Sequence, residues 1–107
     1  MSLSLKKSLE IFIDDIKNER FSDAHEHLEE YWKSIKKSDH PLKNLCKGFI
    51  NGATAFELYK RGKEEGAKRV WSTHLKYLHI LKEGIQEYEL FAEANDILHE
   101  YAKKYAL

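Results

Sequence analysis

The sequence holds a single cysteine, Cys46, so no disulfide can close within the chain and nothing in its thiol content points to an oxidising compartment. A reducing cytoplasm is the expected setting. No apolar run approaches the roughly eighteen residues that a membrane helix needs, and the first residues, SLSLKKSLEIFIDDIK, lack the apolar stretch of a signal peptide. Membrane insertion is not expected. Charge of one sign is missing too, because eighteen Lys and Arg face eighteen Asp and Glu for a formal net charge of zero. The uniform positive field that drives phosphate-backbone binding is therefore absent, and no nucleic-acid partner is expected. The local basic group Lys33, Lys36 and Lys37 is offset by Glu29 and Glu30, as on a solvated helix face. No internal repeat, low-complexity tract or linker divides the 107 residues, which read as one domain.

What is present is helical patterning. With 42% hydrophobic and 34% charged residues the chain has enough apolar side chains to fold. No segment alternates apolar and polar residues over a strand's length, while five segments carry apolar residues at helical spacing. The expected fold is an all-α antiparallel bundle of about five helices. Leu5, Leu9, Phe12, Ile13 and Ile16 form the first stripe, with Ser4 placed to cap it and an end near Asn18. Ser22 suits the N-cap of a second helix with the stripe Ala24, Leu28, Tyr31 and Ile35, ending near Lys37. Pro41 suits the first turn of a third helix that runs to about Arg61, the most apolar of the five, with Leu42, Leu45, Cys46, Phe49, Ile50, Ala53 and Phe56. Gly48, Gly52, Ala53 and Ala55 keep part of its surface thin enough for another backbone to approach. Gly62 marks its stop, and Ala67, Val70, Trp71, His74, Leu75, Leu78 and Leu81 continue as a fourth helix that makes a hairpin with the third. Gly84 breaks or weakens that helix. Tyr88, Phe91, Ile97, Leu98, Tyr101 and Tyr105 then belong to a fifth, whose start the pattern leaves open.

Groups able to do chemistry crowd together in one place, the stretch FSDAHEHLEEYW from Phe21 to Trp32. At roughly 100° per residue, Trp32, His25 and Glu29 lie roughly 60°, 80° and 120° from the centre of the buried stripe, so they line one edge of the core, while Glu26 points roughly 180° away. Glu29 follows His25 at the spacing where two helical side chains meet. Three readings are open. His25 and Glu29 can be two ligands of a divalent metal whose other ligands come from another helix. Glu29 can orient His25 as a general base beside Trp32, although no nucleophile stands alongside. Or the two are a hydrogen-bonded pair that satisfies a polar core edge. The zincin motif fails outright, because Glu29 stands where its second histidine is required. Cys46 reads as a core residue and His74 as a satisfied histidine at the core edge, and His27 and His40 have no partner at helical spacing beyond a capping role for His40. The hairpin of helices three and four has the architecture of a tetratricopeptide unit, but one hairpin alone defines no partner.

The strings FSDAHEHLEEYW, GFINGATAF and RGKEEGA together resemble the family known as domain of unknown function 309, over roughly Phe21 to Leu81. His25, Glu26, Glu29 and Trp32 match its F-x-x-A-H-E-x-x-E-x-x-W block. Gly48, Ile50, Ala53 and Ala55 match the next, with Asn51 where the family tends to have glutamine, and Arg61, Gly62, Gly66 and Ala67 match the third. The resemblance implies a small helical bundle and no established activity. The chain departs from the pattern at Lys47, Lys63 and Leu58, the last a frequent histidine position. Were that histidine a metal ligand opposite His25, Asn51 and Glu57 would be imperfect substitutes. The expected function is a non-enzymatic module that binds a small molecule or protein partner in a polar site of His25, Glu26, Glu29, Trp32 and Asn51, with homodimerisation compatible with neutral charge. The alternative is a metal-assisted hydrolase with His25 and Glu29 holding the ion.

Overall fold

The structure, a computed structural model, describes residues 3–107. It contains five α-helices, α1 (Leu5–Lys17), α2 (Phe21–Ile35), α3 (Lys43–Lys60), α4 (Glu64–Tyr77) and α5 (Tyr88–Lys104), with a 3₁₀ turn at Leu78–Ile80 and no strand among the described residues. None of these helices is long and apolar enough to cross a membrane. The first stripe is buried as its spacing requires, from Leu5 through Leu9, Phe12 and Ile13 to Ile16. Ser4 caps α1, its Oγ accepting from the Lys7 N–H at 3.1 Å.

Three boundaries differ from the sequence expectation. Ser22 is not the N-cap of α2: the helix already begins at Phe21, with Arg20 in the cap position and no side-chain cap. Phe21 is buried, edge-on to Phe56 at 5.3 Å and to Tyr101 at 5.1 Å, and Asp15 draws Arg20 into a tight corner. Pro41 precedes α3 instead of lying in its first turn, and the His40 Nδ1 accepts from the Leu42 N–H at 3.1 Å, so His40 caps the turn that leads into the helix. The fourth helix does not continue through Leu81. It ends at Tyr77, before Gly84, which sits at φ +99 in the connecting loop. Leu75, expected in the core stripe, is 47% exposed, because Ala67, Trp71 and His74 at i, i+4 and i+7 take the buried direction. Gly62, at φ +78, does end α3.

The α3–α4 hairpin is close because α3 is thin where α4 crosses. A Cβ on Gly48 would lie 3.3 Å from Tyr77 Cβ and 3.5 Å from His74 Cα, and one on Gly52 would lie 3.1 Å from Leu98 Cδ1 and 3.5 Å from Trp71 Cζ3. Phe49, Phe56, Trp71 and Phe91 fill the centre, with Phe49 edge-on to Phe91 at 5.3 Å and Phe56 tilted against Trp71 at 5.4 Å. From α5, Phe91, Ala94, Leu98 and Ala102 close the core.

Glycines in and beside this contact respond oppositely to substitution. Gly48→Leu is expected to destabilise by about 2 to 3 kcal/mol, because the added atoms meet the α4 backbone. Gly66→Ala, whose new Cβ meets only Leu58 Cδ1 at 3.6 Å, is expected to stabilise α4 by about 0.5 to 1 kcal/mol. Urea unfolding midpoints at equal m-value test both signs.

Candidate functional site

A recess of about 250 Å³ opens between α2 and α3, lined by His25, Glu29 and Trp32 from the first and by Lys47, Ile50, Asn51 and Thr54 from the second. The two helices bring their residues together through ordinary periodicity. His25, Glu29 and Trp32 follow one another at i, i+4 and i+7 along α2, and Lys47, Ile50, Asn51 and Thr54 do so along α3. Ile50 is buried and gives the recess an apolar floor, while Trp32 is a half-buried wall. Of the five site residues expected from sequence, four share this space. Glu26 does not: it is exposed and outside the lining, on the α2 face turned from the core.

The polar groups of the recess are bonded mostly to one another. His25 Nε2 lies 3.2 Å from Glu29 Oε2, and its Nδ1 lies 3.5 Å from Glu57 Oε1, a buried oxygen with no hydrogen bond. Only a doubly protonated ring can present an N–H to both carboxylates. Arg61 Nη2 donates to Glu57 Oε2 at 3.1 Å, and Lys33 Nζ stands 3.7 Å from Glu29. The Asn51 Nδ2 donates to the Lys47 carbonyl at 2.7 Å, and the Thr54 hydroxyl to the Ile50 carbonyl at 3.0 Å. Lys36 Nζ lies 5.4 Å from the centre of the Trp32 ring. Glu57 enters from α3 as the residue opposite His25. Leu58 itself packs at the α3–α4 corner against Gly66. Among the described residues no group of three or more His, Cys, Asp or Glu is disposed to hold a metal ion.

Two further polar clusters escaped the sequence reading because their partners are distant along the chain. His27 has no partner at helical spacing, and its Nδ1 lies 2.7 Å from Oδ2 of the buried Asp15, twelve residues back along the chain. Arg20 completes that corner, its Nε donating to Asp15 Oδ1 at 3.0 Å and its Nη2 to Asp14 at 2.7 Å. Neither His27 nor Asp15 lies within helical spacing of the other, so no periodicity signals the pair.

His74, fully buried, joins three helices. Its Nδ1 is 3.1 Å from the Gly48 carbonyl on α3, and its Nε2 is 3.1 Å from the Asn95 side-chain amide on α5. Burial pushes its pKa down to about 4, so the ring is neutral at pH 7. A carbonyl only accepts, which assigns the single ring proton to Nδ1 and leaves Nε2 as an acceptor. Asn95 must then turn its NH₂ group, which has the same shape as its carbonyl end, toward the ring. His99, 5.8 Å from His74 between ring centres, is also lowered by burial, and its Nε2 has no hydrogen-bond partner. Cys46 is sealed in the core, its thiol pushed up to about 12 by burial, as its apolar neighbours implied.

A family model described as a domain of unknown function (DUF309) matches residues 9–70, a span that includes every residue lining the recess and stops before His74. No curated protein and no solved structure matches the chain.

The buried imidazoles set a pH window. Between about 6.5, the ordinary value, and about 4, the unfolded chain binds a proton at His74 that the folded chain refuses. Stability is therefore expected to fall as pH drops through that window, by about 3 kcal/mol from His74, with His99 acting in the same direction. Urea unfolding at pH 7, 5.5 and 4 measures the loss, and an NMR titration of the folded protein should find the His74 ring neutral down to about pH 4.

Proposed function

The chain belongs to the domain of unknown function family DUF309, and on that premise we propose that it is a non-enzymatic binding module whose ligand, a small molecule or a segment of a protein partner, seats in the α2–α3 recess. The observation that carries this reading is the meeting of His25, Glu29, Trp32 and Asn51, from two helices, around one open space that no side chain of the bundle fills. An apolar floor, an aromatic wall and a few polar groups are the usual make-up of a small-ligand site. Its volume is below the roughly 300 to 1,000 Å³ of drug-sized pockets, so the occupant is about the size of one amino-acid side chain. Self-association in a zero-net-charge chain is compatible with this role.

The metal-assisted hydrolase reading needs three ligand atoms about 2 Å from one point. His25 is instead engaged by Glu29 and Glu57, and both carboxylates carry a second basic neighbour, so no observation favours that reading.

A fragment library titrated into ¹⁵N-labelled protein tests the proposal. Bound fragments should move the Trp32 indole N–H, the Asn51 side-chain NH₂ and backbone amides between residues 47 and 54, and Trp32→Ala should remove the response with helicity unchanged. Saturable shifts that cluster elsewhere, or that persist in Trp32→Ala, would overturn it.

A further inference from the structure

The recess contains charges of both signs, but they are not equally available to a visitor. The carboxylate that lines the recess, Glu29, is already engaged twice, by His25 at 3.2 Å and Lys33 at 3.7 Å, while Glu57, behind His25 and outside the lining, pairs with Arg61 through Oε2 at 3.1 Å and keeps its other oxygen buried 3.5 Å from His25 without a hydrogen bond. On the basic side, Lys47 lines the recess, the Lys36 ammonium rests over the Trp32 ring, and neither makes an ion pair among the described residues. Both lysines are exposed and long enough to swing over the opening. An incoming cation at Glu29 would compete with His25 and Lys33, whereas an incoming anion breaks no ion pair. The neutral groups agree with that preference. Ile50 and the Trp32 ring offer an apolar body its contact, and the Asn51 amide, anchored by Nδ2 to the Lys47 carbonyl, fixes the register between the apolar floor and the lysine.

We propose that the α2–α3 recess binds a small carboxylate with an apolar or aromatic body, the body packing against Trp32 and Ile50 and the carboxylate meeting Lys47 and Lys36. This inference rests on the reading of the recess as the binding site and adds the charge of the ligand to it. The carboxylate can belong to a free organic acid or to the C-terminal residue of a peptide, since the recess holds about one side chain. Each lysine contributes a solvent-exposed charge interaction, so loss of either weakens binding by about fivefold, and added salt weakens it as well.

Benzoate, benzamide and benzamidine present one ring with negative, neutral and positive ends, and their titration is read at the Trp32 indole N–H and the Asn51 NH₂. Benzoate should bind tightest and weaken about fivefold in Lys47→Gln and in Lys36→Gln, with benzamidine unaffected by either change. N-acetylphenylalanine, compared with a short peptide ending in phenylalanine as acid or as amide, separates the two sources. Preference for the peptide acid over N-acetylphenylalanine supports a protein tail, and equal affinity supports a free acid. If benzamide or benzamidine binds in the recess as well as benzoate does, the carboxylate assignment is overturned while the recess remains a binding site. If none of the three moves the recess resonances at millimolar concentration but fragments of other chemistry do, the assignment falls in the same way. Silence of the recess to every fragment removes the binding reading itself and this inference with it.

Discussion

The approach of α4 to α3 at Gly48 and Gly52 is the contact on which the remaining packing depends. Without side chains at those two positions, Trp71 and His74 lie against the α3 backbone, and the His74 N–H reaches the Gly48 carbonyl. The far side of the same ring reaches Asn95, so a single imidazole fixes α3, α4 and α5 in one register. A buried ring with both nitrogens bonded tolerates little sliding, because a shift of either neighbour leaves a polar atom unpaired in the core. The face of α3 that carries Lys47, Ile50, Asn51 and Thr54 points roughly 130° away from that seam and is left for α2, which covers it only in part. The recess is what the partial cover leaves open.

Helix number, the thin α3 surface and the stop at Gly62 were legible in the sequence because each depends on neighbours within a few residues: a stripe at helical spacing, small side chains on one face, a glycine able to take φ +78. The start of α2 was not. Ser22 has the better capping side chain, yet Phe21 buried against Phe56 and Tyr101 and Arg20 held by Asp15 move the boundary, and those partners lie on other helices. The end of α4 was not legible either: Leu78 and Leu81 continue the apolar pattern, yet the chain passes into a 3₁₀ turn at Leu78–Ile80. Glu19, just before α2, holds φ 56 although a glycine would take it at lower cost. Its carboxylate pairs with Lys60 at 2.8 Å, so this position of the α1–α2 corner also ties to the end of α3. The edge of α2 that leaves the core with His25, Glu29 and Trp32 was readable from a helical wheel. Glu57, which faces His25 from α3, could be placed opposite it only once the pairing of the helices was known.

The electrostatics of the recess follow from this arrangement of pairs and not from composition. A count of acids and bases over the whole chain gives zero, and α2 alone carries an acidic excess, Asp23, Glu26, Glu29 and Glu30 against Lys33. Pairing decides what remains available: Glu29 is matched by His25 and Lys33, and Glu57 by Arg61 through one oxygen, while the Lys47 and Lys36 ammonium groups make no ion pair among the described residues. An isolated motif such as HExxE suggests a reactive acid and base. In this bundle His25 and Glu29 of that motif brace each other at 3.2 Å, and Glu26 faces away from them into solvent.

The sole thiol of the chain gives the buried core an unexpected use. Cys46 is fully enclosed, and its low acidity leaves almost no thiolate at neutral pH even when a reagent is near. Every encounter with an alkylating agent must therefore wait for the helices to part. With one such group per molecule, the speed of labelling becomes a clock for the breathing of the native bundle, and any molecule that settles on the protein and steadies it will slow that clock.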